Sequence, residues 1–512
     1  MINALGREFP EFVDGYGRVV PFAGAFAIRP EMQRRAPAVK AVRPDESKLV
    51  DNLKDVFERI PVRDSMTLSF HHHLRNGDGV VNAVLDTAAE LGLKDFKVAL
   101  SSVFPVHAPM VGHFESGVVT ALDTDYISGP VAEAVSRGVL ARPVVLRTHG
   151  GRARAIECGL LEIDVAFIAA PAADDYGNIN GVGGPTACGS LGYAFPDAEY
   201  ADRVVAVTDT LVEYPLAPIS IPQTRVDYVV ETQEIGDPEG IASGTMRITE
   251  DPIKLEIAET AAEVIRAVGL IEDGFSLQTG AGGTSLAVTR FVRRMMEESG
   301  VAGSFALGGI TGPLVEMLKD GLFKRLIDVQ SFDQEAIRSI ATDPNHLEVG
   351  AGFYANAFNS GCAVNKLDCV ILGATQVDTS FNVNVVTGSD GKIIGGSGGH
   401  SDTAAGANLA IVVANLARGS LPIVTDEVLT ATTPGESIDV VVADHGVAVN
   451  PRRSDLESRL TTAGLPVRDI SDLKSMADET AGTPQQAEVG DKVVAVVEYR
   501  DGTTIDVVRQ VV

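Results

Sequence analysis

Residues 163–184 read IDVAFIAAPAADDYGNINGVGG, and residues 367–388 read LDCVILGATQVDTSFNVNVVTG. At a shift of 204 positions, seven of the 22 aligned pairs are identical, among them Asp174 with Asp378, Asn178 with Asn382 and Asn180 with Asn384. The match continues upstream with a larger shift, since RDSMTLSF at 63–70 aligns with EDGFSLQT at 272–279. A drifting shift is expected of a duplicated domain with small insertions, and the period is far too long for a solenoid. We therefore predict two copies of one fold, with a cleft between them as a natural place for a pocket.

Strand and helix patterns alternate along both copies. Apolar runs end at glycine, proline or polar clusters, as strands do, and helical stripes lie between them. The predicted strands include MTLSF at 66–70, FKVALSS at 96–102, EIDVAFIAAP at 162–171, FSLQTG at 275–280, GSFALGG at 303–309 and LDCVILGA at 367–374. Such alternation predicts a mostly parallel sheet covered on both faces. We expect an N-terminal arm over 1–44, a first α/β domain over 45–250 and a second over 251–512, which ends in a hairpin at Asp501-Gly502.

The composition limits the partners of this chain. Of 512 residues, 45% are hydrophobic and 22% are charged, as in a globular protein. The formal net charge of −27 argues against nucleic acid and anionic membranes as partners. The sequence has no run of 18 apolar residues, no secretory signal and no C-x-x-C spacing among its four cysteines. We expect a cytoplasmic protein without a disulfide framework or a thiolate zinc site.

Glycine clusters between predicted strands and helices are the first candidates for a functional site. TGAGGTS at 279–285 precedes a helix predicted over Leu286–Glu298, and GGSGGHSD at 395–402 precedes one predicted over Thr403–Leu416. Backbone N–H groups in such turns can converge on a phosphate or on a developing oxyanion. Neither cluster fits a dinucleotide or P-loop motif. Tight turns with packing glycines are the alternative.

Histidines and arginines of the first copy give two weaker signals. Histidines occupy 71–73, 107, 113 and 149, but no carboxylate spacing completes a metal motif, so we predict no metal site. Five arginines occur where no acid lies from 137 through 156: Arg137, Arg142, Arg147, Arg152 and Arg154. Their guanidinium groups suit a polyanionic substrate. The alternative is surface charge that balances acids elsewhere.

Longer blocks of the sequence resemble one known family. These blocks are SFHHHLRNGDGVVN at 69–82, THGGR at 148–152, CGSLGYA at 188–194, GFSLQTGAGGTSLAVTRF at 274–291, FALGGIT at 305–311, FNVNVVTGSDG at 381–391, GGSGGHSDTA at 395–404 and DHGVAVNP at 444–451. Together they resemble the alpha subunits of citrate lyase, the citrate CoA-transferase subunits. The resemblance covers nearly the whole chain after the N-terminal arm, which has no clear counterpart.

The resemblance implies two tandem CoA-transferase-type (NagB/RpiA-like) α/β domains. It implies that acetyl is exchanged for citrate on an acyl-carrier-protein thioester, giving citryl–carrier protein and acetate, with acetyl-CoA as a surrogate. The thioester arm, a phosphoribosyl-dephospho-CoA, belongs to the carrier, so no cofactor is expected on this chain. The implied partners are the acyl-carrier (gamma) subunit, the citryl-lyase (beta) subunit and further copies of the chain.

With this chemistry in view, nine residues receive expected roles. Backbone N–H groups for the oxyanion are expected from Gly282, Gly283, Gly398 and Gly399. His72 and Arg75 are expected to orient citrate through charge-assisted hydrogen bonds. Asn382 and Asn384 are expected to position the acyl carbonyl or the pantetheine amide, and His400 to bind substrate. For each residue, a purely structural role is the alternative.

The sequence departs from many CoA-transferases at one place. Those relatives carry a nucleophilic glutamate just after the strand equivalent to FALGG, whereas this chain continues as GGITGPLVEM, with Glu316 expected inside a helix. Direct attack of citrate on the thioester, through a mixed anhydride, is therefore favoured over a covalent glutamyl intermediate. Two other functions stay open: a stand-alone CoA-transferase for citramalate or another dicarboxylate, and a non-enzymatic scaffold that docks the carrier.

Overall fold

Two large, mostly parallel β-sheets form the framework of the chain. The computed structural model describes residues 1–30, 35–37, 43, 46–241, 248–280, 282–481 and 487–512. The ten strands of the first sheet lie in the order Thr504–Val511, Val489–Glu498, Val144–Leu146, Val119–Thr124, Phe96–Leu100, Thr67–Phe70, Val165–Ala170, Arg203–Thr208, Tyr228–Glu231 and Leu49–Val50. The nine strands of the second lie in the order His346–Glu348, Phe323–Ser331, Gly303–Ile310, Ser276–Thr279, Cys369–Gly373, Leu409–Val413, Val440–Ala443, Gly446–Val449 and Val467–Arg468.

The two sheets share one strand order. From Val144–Leu146 to Tyr228–Glu231 in the first, and from His346–Glu348 to Val440–Ala443 in the second, seven strands follow the same sequence of positions. Each half also carries a three-stranded side sheet with the same pairing: Ala172–Asp174, Ile179–Asn180 and Leu211–Val212 in one, and Gln376–Asp378, Val383–Asn384 and Val424–Thr425 in the other. The predicted mixed α/β fold with parallel sheets is confirmed.

Helices connect and cover the strands. They span Leu53–Arg59, Val80–Glu90, Met110–Ser116, Gly129–Ser136, His149–Glu157, Phe195–Tyr200, Pro238–Ile241, Pro252–Val268, Gly283–Ser299, Gly312–Lys319, Gln334–Thr342, Ala351–Ala355, His400–Gly406, Ser454–Thr462 and Ile470–Ala481. The central strand Val165–Ala170 is buried along its whole length, so both faces of its sheet are covered. Among the described residues, no helix is long and apolar enough to cross a membrane.

The duplicated stretch keeps its identical residues because they build the same turn twice. Asp174 accepts hydrogen bonds from the backbone N–H groups of Tyr176 and Asn178, at 3.0 Å each. Asp378 accepts the equivalent bonds from Ser380 and Asn382, at 2.9 Å each. Side-chain oxygens that bind N–H groups two and four residues ahead stabilise a turn at the end of a strand. The most similar part of the two sequence repeats therefore has a structural role, the formation of this turn.

The C-terminal hairpin corrects the predicted range of the second domain. The strands Val489–Glu498 and Thr504–Val511 turn at Asp501-Gly502 as predicted, but the first of them pairs in parallel with Val144–Leu146 of the first sheet. The hairpin therefore lies with the first half rather than with 251–512. Strand alternation cannot reveal this, because an exposed sheet edge accepts a strand from anywhere in the chain.

The N-terminal arm packs on this hairpin. Asn3 Nδ2 donates to the carbonyl oxygen of Ile505 at 2.7 Å, and the ion pair from Arg7 to Asp506 spans 3.4 Å. Phe9, Val13 and Val19 are buried against Val496 and Val507. Of the predicted arm over 1–44, residues 31–34, 38–42 and 44 lie outside the described residues.

A second correction concerns the segment after GGSGGHSD. A single helix was expected over Thr403–Leu416, but the structure has a short helix, His400–Gly406, followed by the strand Leu409–Val413. The strand is fully buried in the middle of the second sheet. A short, continuously apolar run such as LAIVV has no periodicity that separates helix from strand.

Candidate active site

Two loops from different halves join at the carboxyl ends of the strands. The N–H of His149 donates to the carbonyl oxygen of Gly398 at 2.8 Å, and the N–H of Gly398 donates to that of Asp125 at 3.1 Å. Asp402 accepts from Thr148 Oγ1 and from the N–H of Gly150, at 2.9 Å each. The predicted motifs THGGR and GGSGGHSD therefore form one structure. We call this boundary between the two halves the seam.

The histidine cluster joins the seam beside these loops. His72 Nε2 lies 2.9 Å from Gln330 Oε1, and Gln330 Nε2 donates back to the His72 carbonyl at 3.1 Å. Arg75 Nη1 donates to the carbonyl oxygen of Phe332 at 2.9 Å. Arg75 also has a φ of 53°, a left-handed conformation that a non-glycine residue seldom adopts and that often marks functional sites.

The motif CGSLGYA completes this side of the seam. Ser190 Oγ donates to the carbonyl oxygen of Asp328 at 3.2 Å, and the N–H of Leu191 donates to Glu348 Oε1 at 2.6 Å. The Tyr193 ring lies 4.3 Å from the His72 ring and 4.5 Å from the His149 ring, centroid to centroid. Three motifs of the first half thus contact the second half at one place.

A polar cluster connects the two glycine loops of the second half. Gln278, one residue before the end of the strand that leads into TGAGGTS, donates from Nε2 to Tyr354 Oη at 2.8 Å. A Cβ atom on Gly399 would lie only 2.5 Å from Tyr354 Oη. Gln278 Oε1 and Thr279 Oγ1 are buried and have no hydrogen-bond partner among the described residues. Buried polar atoms of this kind are candidates for binding a ligand.

The family of the chain follows from comparison with known proteins. The sequence profile described as citrate lyase, alpha subunit (CitF), matches residues 46–511. The chain belongs to this family. It is 50% identical to the citrate lyase alpha chain of Haemophilus influenzae over 466 residues, which is 91% of this chain and 93% of the relative. It is 48% identical to that of Escherichia coli K12 over 472 residues, which is 92% of each.

Solved structures agree with this membership. A crystal structure described as the alpha subunit of citrate lyase in complex with citrate, from Streptococcus mutans, superposes with a TM-score of 0.96 at 48% identity and covers 100% of both chains. A malonate decarboxylase hetero-tetramer from Pseudomonas matches at a TM-score of 0.66 and 17% identity over 86% of this chain and 94% of its own, which shows a related fold alone. The predicted family is confirmed, and with it an enzyme of the citrate CoA-transferase type.

The hydrogen bonds of this citrate lyase alpha-family chain separate the four candidate glycines into two groups. Gly283 begins the helix Gly283–Ser299, and Gly282 caps it. The N–H groups of Gly282, Gly283 and Gly399 have no hydrogen-bond partner within the described part of the chain. The N–H of Gly398, in contrast, is bonded to Asp125. Gly398 is therefore corrected from an oxyanion donor to a structural residue of the seam.

The expected charged role of His72 is corrected. Its Nδ1 lies 2.6 Å from Ser101 Oγ and its Nε2 is bonded to Gln330, so both ring nitrogens have partners inside the protein. Burial lowers the pKa of His72 well below its usual range, because desolvation disfavours the charged ring. His72 is a neutral structural link across the seam, and Arg75 is left as the predicted cation.

Three other predicted ligands have structural partners. Asn382 Nδ2 donates to Asp378 at 3.0 Å, and Asn384 Nδ2 donates to Gln376 Oε1 at 2.9 Å. His400 Nδ1 lies 2.8 Å from Thr433 Oγ1 and its Nε2 lies 2.9 Å from the carbonyl oxygen of Gly373. Burial lowers the pKa of His400 to about 4, so the ring is neutral. These side chains hold turns and loops, the structural alternative, and their contact with substrate stays a prediction.

The arginine-rich stretch is paired rather than open. Each of its five arginines lies beside an acid: Arg137 with Glu133, Arg142 with Asp95, Arg147 with Asp123 and Glu498, Arg152 with Asp197, and Arg154 with Glu498. Surface charge balance, the alternative, explains Arg137 and Arg142, whereas Arg147, Arg152 and Arg154 are buried beside their acids. No group of three or more His, Cys, Asp or Glu side chains able to hold a metal is found in the described ranges.

His149 is the residue of the seam that the residue-by-residue predictions missed. Its Nδ1 lies 3.0 Å from Asp125 Oδ2, and Asp125 is fully buried. The sequence feature that could have identified His149 is its position in THGGR, shortly after the strand Val144–Leu146. The partner Asp125 follows the neighbouring strand, Val119–Thr124, so only the three-dimensional fold reveals the pair.

Proposed function

We propose that this chain exchanges acetyl for citrate on a thioester, and that the reaction takes place at the seam. The observation that carries the proposal is the meeting of THGGR, HHHLRN and CGSLGYA from the first half with GGSGGHSD and the strand end at Gln330 from the second. These motifs lie far apart in sequence, but the fold brings them together at the seam. Catalysis by orientation requires such a grouping around one substrate.

The backbone donors of the glycine loops support an acyl-transfer step. A citrate carboxylate oxygen attacks the acetyl carbonyl of the thioester, and negative charge develops on the carbonyl oxygen. We propose that the N–H groups of Gly282 and Gly283, at the N-terminus of a 17-residue helix, stabilise that charge, with Gly399 as a third donor. Cleavage of the C–S bond releases the sulfur group and leaves a citryl–acetyl anhydride. The sulfur then attacks its citryl carbonyl, and acetate departs.

Arg75 is the cation proposed to attract the tricarboxylate. Its guanidinium group stacks on the Phe332 ring, 4.9 Å from Cζ to the ring centroid, which fixes its direction. Citrate would otherwise enter a chain of net charge −27 against a general repulsion. A fixed arginine is suited to pairing with a carboxylate in two parallel hydrogen bonds.

The origin of the two domains, the partner subunits and the compartment are also proposals. We infer that the two halves are tandem CoA-transferase-type (NagB/RpiA-like) domains from an internal duplication, which their common strand order supports. The thioester is proposed to arrive on the phosphoribosyl-dephospho-CoA arm of an acyl-carrier (gamma) subunit, with no cofactor bound by this chain. A citryl-lyase (beta) subunit would cleave the product, in a cytoplasmic complex that holds several copies of the chain.

The experiment is a three-product assay of the purified chain with acetyl-CoA and citrate. We expect acetate and citryl-CoA to form in equal amounts, and oxaloacetate to appear only after a lyase subunit and magnesium are added. Oxaloacetate from this chain alone would contradict the transferase proposal. Exchange with citramalate but not with citrate would replace the proposed substrate.

A further inference from the structure

We infer that His149, oriented by Asp125, is the catalytic residue that gives a proton to the thioester sulfur and takes it back during the exchange. The inference rests on the proposed function and adds a proton carrier to it. His149 is the first residue of the helix His149–Glu157, whose start is held to the second half through Thr148, Gly150 and Asp402.

The ring of His149 is held by a hydrogen bond and by ring packing. Its Nδ1 lies 3.0 Å from Asp125 Oδ2, and the Tyr193 and His72 rings pack beside it with centroids at 4.5 Å and 5.5 Å. Its backbone is fixed too, because its N–H is bonded to Gly398, whose own N–H is bonded to the carbonyl oxygen of Asp125. A histidine held this way loses little conformational entropy when it binds a substrate.

The other ring nitrogen, Nε2, is available for proton transfer. It has no hydrogen-bond partner in the described part of the chain, and the side chain keeps 14% of its surface exposed. Gly398 lies directly in front of it, since a Cβ atom at position 398 would be 3.3 Å from Nε2. The φ of Gly398 is +51°, so both the space and the backbone favour glycine there.

The hydrogen bond to Asp125 determines which nitrogen can exchange a proton. When Asp125 accepts from Nδ1–H, Nε2 carries a lone pair in the neutral ring and a proton in the imidazolium. Burial raises the pKa of Asp125 to about 6, so at neutral pH this carboxyl is ionised and stabilises an imidazolium beside it. Arg152 lies near enough to favour the same ionised form.

The remaining histidines of the seam cannot take this role. His72 and His400 have both ring nitrogens bonded within the protein. His73 Nε2 lies 2.7 Å from the carbonyl oxygen of Ala169, and burial lowers the pKa of His73 to about 4. His71 pairs with Asp197 at 3.1 Å, but its side chain is fully buried. Of these five histidines, His149 alone combines a carboxylate partner with a partly exposed ring.

The proposed steps return every proton to its starting place. As the tetrahedral adduct of citrate and acetyl thioester collapses, the C–S bond breaks and the sulfur takes the proton of Nε2, so the group leaves as a thiol. Neutral His149 then removes that proton while the sulfur attacks the citryl carbonyl of the anhydride and the C–O bond to acetate breaks. The cycle ends with citryl thioester, acetate and protonated His149.

The test compares His149→Asn with wild type in the acetyl-CoA and citrate assay. Asn can still donate a hydrogen bond to Asp125 from the position of Nδ1, but it has no atom in place of Nε2. We expect kcat to fall about 100-fold or more, as for the loss of a general acid–base group, while KM for both substrates changes less than about threefold. In His149→Ala, added imidazole should restore part of the lost kcat.

The matched control is His113→Ala. His113 also pairs with a carboxylate, through Nε2 at 3.1 Å from Asp86, but on a helix outside the seam, so its removal should leave kcat unchanged. A folded His149→Asn that keeps more than half of the wild-type kcat would overturn the inference and leave the proposed function intact. Absence of rescue by imidazole in a folded His149→Ala would count against it equally. Absence of exchange in wild type would instead refute the proposed function itself.

Discussion

Gly399 is a residue of the seam at which the structure leaves no room for a side chain. A Cβ atom there would be 2.5 Å from Tyr354 Oη, and that hydroxyl is held by Gln278 within a buried cluster. We therefore expect Gly399→Ala to lower the free energy of unfolding by about 1–3 kcal/mol, the usual cost of overpacking. Tyr354→Phe removes the obstructing oxygen at a cost of about 1 kcal/mol for the lost hydrogen bond.

The double variant Gly399→Ala/Tyr354→Phe provides the decisive comparison. It should be less destabilised than the sum of the two single variants, because the methyl group then occupies the space of the hydroxyl. Urea unfolding of all four proteins measures this coupling. Gly373→Ala is the control, since a Cβ there would meet no atom of the described residues within 4 Å and should change stability by less than about 0.5 kcal/mol. Strict additivity would show that Tyr354 does not restrict position 399.

Glu316 has an environment unlike that of a nucleophile. As predicted, it lies inside a helix, Gly312–Lys319; its side chain is 66% exposed and pairs with Arg293 at 3.0 Å. We expect no covalent glutamyl thioester when the protein is incubated with acetyl-CoA and then with borohydride or hydroxylamine. Peptide mapping by mass spectrometry reads out the result. A glutamate modified in near-stoichiometric yield would contradict the direct mixed-anhydride route.

The helix His149–Glu157 depends on a carboxylate from the other half of the chain. Asp402 is fully buried and accepts both from Thr148 Oγ1 and from the N–H of Gly150, at the start of that helix. Asp402→Asn replaces one accepting oxygen by a donor that faces an N–H or a hydroxyl. We expect a loss of about 1–3 kcal/mol in stability, the cost of a buried unpaired group. The exchange rate should fall too, because the THGG turn is no longer held.

The control for this element is Thr148→Ser, which keeps the hydroxyl that Asp402 accepts from. It should lose only about 0.5–1.5 kcal/mol, the cost of one buried methyl group, and keep the exchange rate because the hydrogen bond is preserved. Thermal unfolding and the acetate-release assay test both variants. If Asp402→Asn were as stable and as active as wild type, the helix would be positioned by packing alone.

Elements with clear periodicity were the ones that could be predicted from sequence. The helix Pro252–Val268 begins at a proline and buries Ile257, Ala261 and Val264, the stripe visible in the sequence. Partners across the seam could not be predicted, because nothing local links His149 to Asp125 or His72 to Gln330. The repeated Asn382 and Asn384 could not be assigned from sequence, because the same residue types serve turns and substrate binding.

At the scale of the whole molecule, the two halves are tied together by more than the chain between them. The hairpin pairs with Val144–Leu146, Arg147 bonds Glu498, and Asp402 and Gln330 bond the first half across the seam. We expect residues 1–250 and 251–512, produced as separate chains in one cell, to co-purify and to regain exchange activity. Affinity capture through a tag on the first fragment measures this.

Fragment 251–487, which lacks the hairpin, is the matched control. It should be captured far less, because it cannot complete the first sheet and leaves Arg147 without the carboxylate of Glu498. Equal capture of both fragments would show that the seam alone joins the halves.

The pairing of the C-terminal hairpin with the first sheet also imposes a delay during protein synthesis. Arg147 and its partner Glu498 are 351 residues apart in sequence. At about 5–20 residues per second, a ribosome needs roughly 20–70 seconds to connect them. Throughout that interval the strand Val144–Leu146 has an unpaired edge while the second half is still being made. The nascent first half must therefore be guarded against aggregation until the last strands emerge, which makes it a natural client for molecular chaperones.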